Sequence, residues 1–110
     1  MCSEVDELKA QTAILKDLVA YQEGAIISRN LLGGKTGFAT LFAFDQGEGL
    51  SEHSAPFDAL VYAIEGEVEI TISGQPLRLG AGQTIVMPAD EPHALRALEC
   101  FKMLLVGIKP

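Results

Sequence analysis

Polar and apolar residues alternate along most of the chain beyond residue 25, and this alternation predicts β-strands. Residues 67–73 show it most regularly, with polar side chains between Val68, Ile70 and Ile72. Because successive side chains of a strand point to opposite faces, this segment is expected in a sheet with one buried face. The segments that we predict to be strands are 25–32, 37–45, 50–54, 59–64, 67–73, 75–79, 84–87, 94–98 and 101–108.

Glycine and proline residues separate these segments, and no helical pattern lies between them. Ser73-Gly74 is typical of a tight hairpin, and Gly33 and Gly34 end the first predicted strand. Eight or nine short strands with turns between them are typical of an antiparallel sandwich or barrel. The sequence therefore predicts an all-β fold.

A helical pattern precedes the first strand. Residues 3–6 resemble a capping box with Asp in place of Glu or Gln. Residues on one face of the predicted helix recur at steps of three or four, and they are Val5, Leu8, Thr12, Leu15 and Val19. We predict a short N-terminal helix that packs on a sheet or a partner subunit. The predicted division is an N-terminal helical extension or first strand over residues 1–24 and a β-barrel over residues 25–110, one domain in all.

Composition and charge narrow the class of partner. The 110 residues carry a net charge of −7, and the eight Lys and Arg residues are scattered singly, so no nucleic-acid partner is expected. The apolar runs are at most six residues long, far below the roughly 20 needed to cross a bilayer, so no membrane partner is expected either. The acidic start predicts no signal peptide and a cytoplasmic location. Cys2 and Cys100 do not form a disulfide framework, and Cys100 is expected to be a small buried side chain.

The two histidines, His53 and His93, are the candidate functional residues. They lie 40 residues apart, each beside a turn marked by glycine or proline. If the strands between them fold back on one another, the two rings meet in one pocket. Glu52 and Glu91 flank them in sequence, and we interpret these carboxylates as solvated charges at the rim.

The spacing around His53 resembles the first motif of the cupin family. That motif has Gly, five residues, His-x-His, three or four residues, Glu, six residues and Gly. Here Gly47, His53, Ala55, Ala59 and Gly66 stand at the corresponding positions. The glycines and the first histidine are kept, while alanine replaces the second histidine and the glutamate.

The spacing around His93 resembles the second cupin motif, which has Gly, five residues, Pro-x-Gly, two residues, His, three residues and Asn. Gly82, Pro88, Asp90, His93 and Ala97 stand at these positions. The resemblance covers about residues 29–108. It implies a cupin double-stranded β-helix, or jelly-roll, barrel with a pocket inside, usually as a homodimer. The second motif therefore keeps its histidine and loses its asparagine.

The replaced residues bear directly on metal binding. The resemblance implies three His and one Glu as ligands of Fe, Mn, Ni, Cu or Zn, and half of that set is absent here. A β-bulge after Pro56 could turn Asp58 inward, which would complete a set of two histidines and one carboxylate with His53 and His93. In an ordinary pleat Asp58 instead points away from the interior and caps a turn. We expect any divalent transition metal to be weakly held.

The interior implied by these positions is small and apolar. If residue 59 faces inward, the pocket is lined by Ala55, Ala59, Val61 and Ala63. Such a pocket with two convergent histidines is typical of a site for a small organic ligand. Tyr62 would face outward into a contact between sheets or subunits.

Three interpretations of function remain open from the sequence. The first is a binding protein whose pocket, flanked by two histidines, takes a small organic ligand. The second is an enzyme, either a metal-dependent dioxygenase or isomerase that uses His53, His93 and Asp58, or a metal-free one with a histidine as general base. The third is a structural or regulatory homodimer. No nucleophile-and-base arrangement favours a hydrolase, and the sequence assigns no reaction.

Overall fold

Nine strands make up most of the computed structural model, which describes residues 8–110. They are β1 (Ile26–Gly33), β2 (Gly37–Phe44), β3 (Gly49–His53), β4 (Asp58–Glu65), β5 (Glu67–Ile72), β6 (Gln75–Gly80), β7 (Thr84–Met87), β8 (His93–Ala97) and β9 (Phe101–Ile108). Each predicted strand coincides with one of these to within one residue at either end. The positions of glycine and proline in the sequence therefore predict where the strands begin and end.

The strands form two antiparallel sheets with the connectivity of a jelly roll. The five-stranded sheet has the order β1-β2-β9-β4-β7, and the four-stranded sheet has the order β3-β8-β5-β6. Because β4 and β5 follow one another in the chain but lie in different sheets, the chain crosses between the layers repeatedly. The predicted all-β jelly-roll fold is confirmed.

The main core lies between the two sheets. Phe44, Phe101 and Met103 enter it from the five-stranded sheet, and Val68 and Ile70 enter it from the four-stranded sheet. All five are almost completely buried. Val68 and Ile70 alternate with less buried residues along β5, as expected where one face of a sheet is covered. Ala43 and Lys102, which neighbour Phe44 and Phe101 in sequence, are buried as well, because the N-terminal segment covers the other face there.

The predicted N-terminal helix is wrong for the part of the chain that the structure describes. Over residues 9–24 the helical structure is a single 3-10 turn, Leu15–Leu18, and the predicted capping box at residues 3–6 lies outside the described residues. Val19 is buried, and Leu15 and Leu18 pack beside it against Leu41 and Ala43 on the outer face of the five-stranded sheet. The regularly spaced apolar residues thus belong to a mostly extended segment, and they pack on the sheet.

Polar contacts fix this N-terminal segment to the sheet. The Tyr21 hydroxyl donates a 2.6 Å hydrogen bond to a carboxylate oxygen of Glu65, and the buried Lys102 ammonium donates a 2.7 Å bond to the Lys16 carbonyl. The same ammonium lies 4.9 Å from the centre of the Tyr21 ring. Burial, and then the hydrogen bond to Glu65, raise the pKa of the Tyr21 hydroxyl.

A second part of the outer surface of the five-stranded sheet is mainly apolar, and none of residues 8–110 covers it. Leu60, Val86 and Val106 are cross-strand neighbours there, with Tyr62 and Ile108 beside them. Ile108 is 70% exposed and Val86 is 53% exposed. We call these five residues the outer apolar face. Tyr62 points outward as predicted.

The structure also bears on the predicted burial of Cys100 and on the expected absence of a membrane-spanning helix. Cys100 is exposed in the turn between β8 and β9, where its thiol contacts an Asp45 carboxylate oxygen at 3.6 Å, so the predicted burial is wrong. In the described part of the chain, no helix has the length and apolar character needed to cross a membrane.

Candidate functional site

The two histidines are directly opposite each other on neighbouring strands. His53 is the last residue of β3 and His93 is the first residue of β8, and the register pairs them. The row continues through Ile72 on β5 to Gln75 on β6. Directly paired side chains share one face of a sheet, so the four side chains form one row at the end of the barrel.

A β-bulge in β3 brings His53 into this row. Leu50 pairs with Leu95 and His53 pairs with His93, so β3 uses three steps where β8 uses two. Leu50 is partly buried against the main core. In a regular strand residues three apart face opposite sides, and the extra residue of a bulge removes that mismatch. His53 therefore faces the same side as Leu50.

The two imidazole rings meet through corresponding nitrogen atoms. Their Nε2 atoms are 3.2 Å apart, and the ring centres are 4.4 Å apart with an angle of 70° between the planes. His93 is only 6% exposed, whereas His53 is exposed. Burial, and then the neighbouring His53, lower the pKa of His93, while a backbone contact to Glu91 acts in the opposite direction.

The backbone orients both rings in the same way. His53 Nδ1 lies 2.8 Å from the Ser51 carbonyl oxygen, and His93 Nδ1 lies 3.3 Å from the Glu91 carbonyl oxygen. Each ring thus contacts the carbonyl group two residues before it in the chain. Strand periodicity predicts which face a histidine occupies, but it carries no signal for this rotation of the ring.

The structure does not place Asp58 with the histidines. Asp58 pairs with Ile108 in the same unbroken register that pairs Ala59 with Gly107, so there is no bulge after Pro56. Its carboxylate accepts a 2.8 Å hydrogen bond from the Ala89 amide. Asp58 is therefore the turn-capping residue of the alternative prediction, and it ties the start of β4 to the loop before β8.

The residues present do not fit a resident metal ion. Two nitrogens 3.2 Å apart can occupy two neighbouring positions on one metal, since Zn–N bonds of about 2.0–2.1 Å then enclose an angle near 100°. A stable site needs at least one more protein ligand. Among residues 8–110, no three His, Cys, Asp or Glu side chains are grouped so that they could hold an ion.

The residues predicted to line the pocket lie in or beside the packed core. Ala59, Val61 and Ala63 are buried and belong to the same cluster as Phe44 and Met103. Ala55 is partly buried in the loop after β3, and its carbonyl accepts a 2.7 Å hydrogen bond from the Asp90 amide. This bond and the Asp58 cap join the two loops that flank the histidine pair.

The rim of the site is acidic. Glu52 and Glu91 are exposed, as interpreted from the sequence, and Glu91 accepts a 2.8 Å hydrogen bond from the Ser73 hydroxyl. Residues 51–58 and 88–93 together contain four carboxylates and neither lysine nor arginine. The segments that carry the two histidines are therefore acidic in sequence.

A comparison with protein-family models matches residues 40–107 to the cupin domain. Those residues contain both histidines and all strands from β3 to β8. The match therefore includes the whole candidate site.

Similar proteins of known structure have the same fold. A conserved protein of unknown function from Streptococcus pyogenes is 42% identical and has a TM-score of 0.88, with 92% of this chain and 89% of that chain covered. A cupin 2 conserved barrel domain protein from Leptotrichia buccalis is 41% identical with a TM-score of 0.83, and the match covers 86% of this chain and 46% of that chain.

The curated relatives are less similar in sequence to this chain than the two proteins of known structure described above. A protein named polyketide synthase CurC, from Streptomyces cyaneus, is 29% identical over 98 residues, which are 84% of this chain and 64% of the relative. Protein SchB from Streptomyces halstedii is 30% identical over 73 residues. The chain spans about half to two thirds of the length of the curated relatives that it matches.

Proposed function

Because the chain belongs to the cupin family, we propose that it binds a small organic molecule at His53 and His93 and that this binding is its function. The observation that carries the proposal is the pairing of one sheltered ring and one exposed ring at the end of the barrel, with Nε2 atoms 3.2 Å apart. His93 gives a fixed contact, and His53 gives a contact that a ligand reaches from solvent.

The neighbouring row residues support the proposal. Ile72 lies beside His93 and supplies apolar surface, and Gln75 follows it with a polar side chain. Few polar groups set in apolar surroundings are the usual composition of a small-molecule site. The name of the curated relative CurC associates that protein with polyketide synthesis, which agrees with an organic ligand. The proposed class remains small organic molecules in general.

The metal-dependent dioxygenase or isomerase is the weaker proposal. It requires a third ligand beside His53 and His93, and Asp58 is engaged by the Ala89 amide. Any divalent transition metal would have two protein ligands and would be lost easily.

A fragment library screened by NMR tests the binding function. We expect a subset of fragments to shift the imidazole signals of both histidines at millimolar concentrations or below. The His53→Ala variant should weaken these fragments at least about tenfold, because the exposed contact is lost while the buried ring stays in place. The matched control is Ser54→Ala, since Ser54 is the adjacent exposed residue.

Two results would contradict the binding proposal. One is a screen in which every fragment leaves both imidazole signals unchanged. The other is stoichiometric metal in protein purified without added ions, together with turnover of an O2-dependent substrate. The second result would establish the metal-dependent enzyme instead.

We further propose that the chain forms a homodimer through the outer apolar face. Val86, Leu60 and Val106 form a continuous row on that face, and Ile108 projects beside them. Contiguous exposed apolar surface commonly marks a protein interface. A second copy presents the same apolar surface, so a two-fold arrangement would cover both copies at once.

A further inference from the structure

The backbone contacts assign the proton on each imidazole ring. A carbonyl oxygen only accepts hydrogen bonds, and the Nδ1 atoms of His53 and His93 contact the carbonyl oxygens of Ser51 and Glu91. In a neutral ring one nitrogen carries the hydrogen and the other has a free lone pair. Both rings in the neutral form therefore have Nδ1–H, and both Nε2 atoms are acceptors.

Two acceptors then face each other in a sheltered position. With Nδ1–H in both rings, the 3.2 Å contact between the Nε2 atoms contains no hydrogen, whereas an Nε2–H in either ring would make it a hydrogen bond. His93 as a residue is only 6% exposed. A buried acceptor without a donor is unfavourable. The pair therefore favours a ligand that brings hydrogen-bond donors to both atoms.

The geometry suits one donor atom placed above the pair. An atom at the usual hydrogen-bond length of about 2.9 Å from each Nε2 would form a nearly equilateral triangle with them. A hydroxyl group has one hydrogen to divide between the two nitrogens. A primary ammonium group has three, so it can donate a separate hydrogen to each ring.

The negative charge of the rim also favours a ligand with an ammonium group. Glu52 near the end of β3 and Asp90 and Glu91 before β8 lie within three residues of a histidine in sequence. Residues 51–57 and 88–92 contain neither lysine nor arginine. Such a rim attracts a cationic ligand and repels a carboxylate. The acidic rim and the two bare nitrogen atoms are separate observations that favour the same ligand.

We propose that the histidine pair is a double acceptor that selects small organic molecules with a primary ammonium head group and rejects carboxylates. This inference rests on the proposed function, since it specifies the ligand class of the same site. It also holds without any metal, because it uses the lone pairs of the two rings alone.

Three probes with one ring and different head groups test the selectivity: benzylamine, benzyl alcohol and benzoate. They are titrated into the intact protein at pH 7.5 with a chelator present, and the imidazole signals are followed by NMR. We expect benzylamine to bind most tightly and benzoate most weakly, with at least about a tenfold difference between them. The same sample gives long-range ¹H–¹⁵N spectra, which should show Nδ1–H in both rings.

Variants of the rim separate the charge effect from the effect of the rings. Glu52→Gln combined with Asp90→Asn should weaken benzylamine several-fold and leave benzyl alcohol unchanged, because only the first probe is charged. Glu99→Gln is the control, since Glu99 lies in the turn between β8 and β9, at the opposite end of the strands.

The outcomes distinguish the inference from the function on which it rests. If benzoate shifts the two rings as strongly as benzylamine does, the site binds small molecules and the selectivity is overturned. An Nε2–H tautomer in either ring overturns it as well. If all three probes leave both rings unchanged, the proposed binding function fails for these probes and the inference fails with it.

Discussion

His93 is sheltered by His53, and the two rings differ sharply in exposure although they are direct cross-strand neighbours. Burial and the adjacent ring both disfavour a charge on His93, so its pKa in the folded protein lies below the ordinary value. In the unfolded chain the same ring protonates near pH 6.5.

The stability of the protein should therefore fall as the pH drops below about 6.5. Above that pH the ring is neutral in both states, and the contribution of His93 is fully present. At pH values between the pKa of His93 in the unfolded chain and its lower pKa in the folded protein, the unfolded state binds more protons. Proton binding then stabilises the unfolded state relative to the folded state. Urea unfolding at a series of pH values from 8 to 5 measures this loss.

The control for this pH effect is His93→Gln, which keeps a neutral polar side chain that does not titrate. The free energy of unfolding of the variant should change less between pH 7 and pH 5 than that of the parent protein. Equal slopes in the two proteins would show that other groups cause the pH dependence.

Ala55 and Ala59 stand where the cupin motif has its second histidine and its glutamate, and restoring both should create a metal site. Ala59 is buried, so Ala55→His with Ala59→Glu places an ionisable carboxyl group in the core. Without metal we expect a loss of about 3 kcal/mol in the free energy of unfolding. Added Ni²⁺ or Zn²⁺ should restore stability, because binding to the folded state alone raises it.

Thermal unfolding with and without metal, together with elemental analysis after dialysis, measures this gain. The matched control carries the same two substitutions with His93→Ala, which removes one of the four ligands. If metal stabilises the control as much as the double variant, the ion binds elsewhere on the chain.

Local patterns were enough to predict the nine strands, but the N-terminal segment depended on its surroundings. Turn residues and alternation belong to each strand separately, so they are visible in the sequence. The steps of three and four residues through Leu15 and Val19 fit a helix equally well. The structure instead packs these side chains on Leu41 and Ala43, and a short helix gains little stability without such packing.

The candidate site could be predicted in part. Spacing correctly brought His53 and His93 together, because their strands are neighbours. The sequence allowed two orientations of the Asp58 side chain, inward or outward, since a bulge cannot be predicted from alternation alone. The structure has a bulge in β3 before His53 and none at Asp58. The rotation of the rings follows from backbone contacts that only the fold brings into place.

Lysine substitutions on the outer apolar face should convert the proposed homodimer to a monomer. Leu60 and Val86 are paired neighbours at its centre, so Leu60→Lys with Val86→Lys would bring like charges together across a two-fold interface. We expect sedimentation velocity at about 20–50 µM to show a dimer for the parent chain and a monomer for the variant.

A lysine on the other sheet serves as the control for this experiment. Thr71 lies on β5 and alternates with the core residue Ile70, so it faces away from the core. Thr71→Lys should leave the dimer intact. A monomeric parent protein, or a dimeric double-lysine variant, would argue against this interface.

Two aromatic rings leave no space for a side chain at Gly107, at the end of the barrel that carries the histidines. A methyl group on this residue would overlap the Phe38 ring and lie 2.9 Å from a carbon of the Phe57 ring. The two rings pack edge to face with centres 5.6 Å apart, so neither can move without disturbing the other. We expect Gly107→Ala to lower the free energy of unfolding by about 2 kcal/mol.

The effect of Gly107→Ala is measured by chemical denaturation against Gly34→Ala. A methyl group on Gly34 meets no atom within 4 Å, so this control should leave stability unchanged within about 0.5 kcal/mol. Phe38→Leu in the Gly107→Ala background tests the cause, because a smaller side chain makes room for the methyl group. If the second substitution adds its own loss without any compensation, overlap with Phe38 does not explain the first.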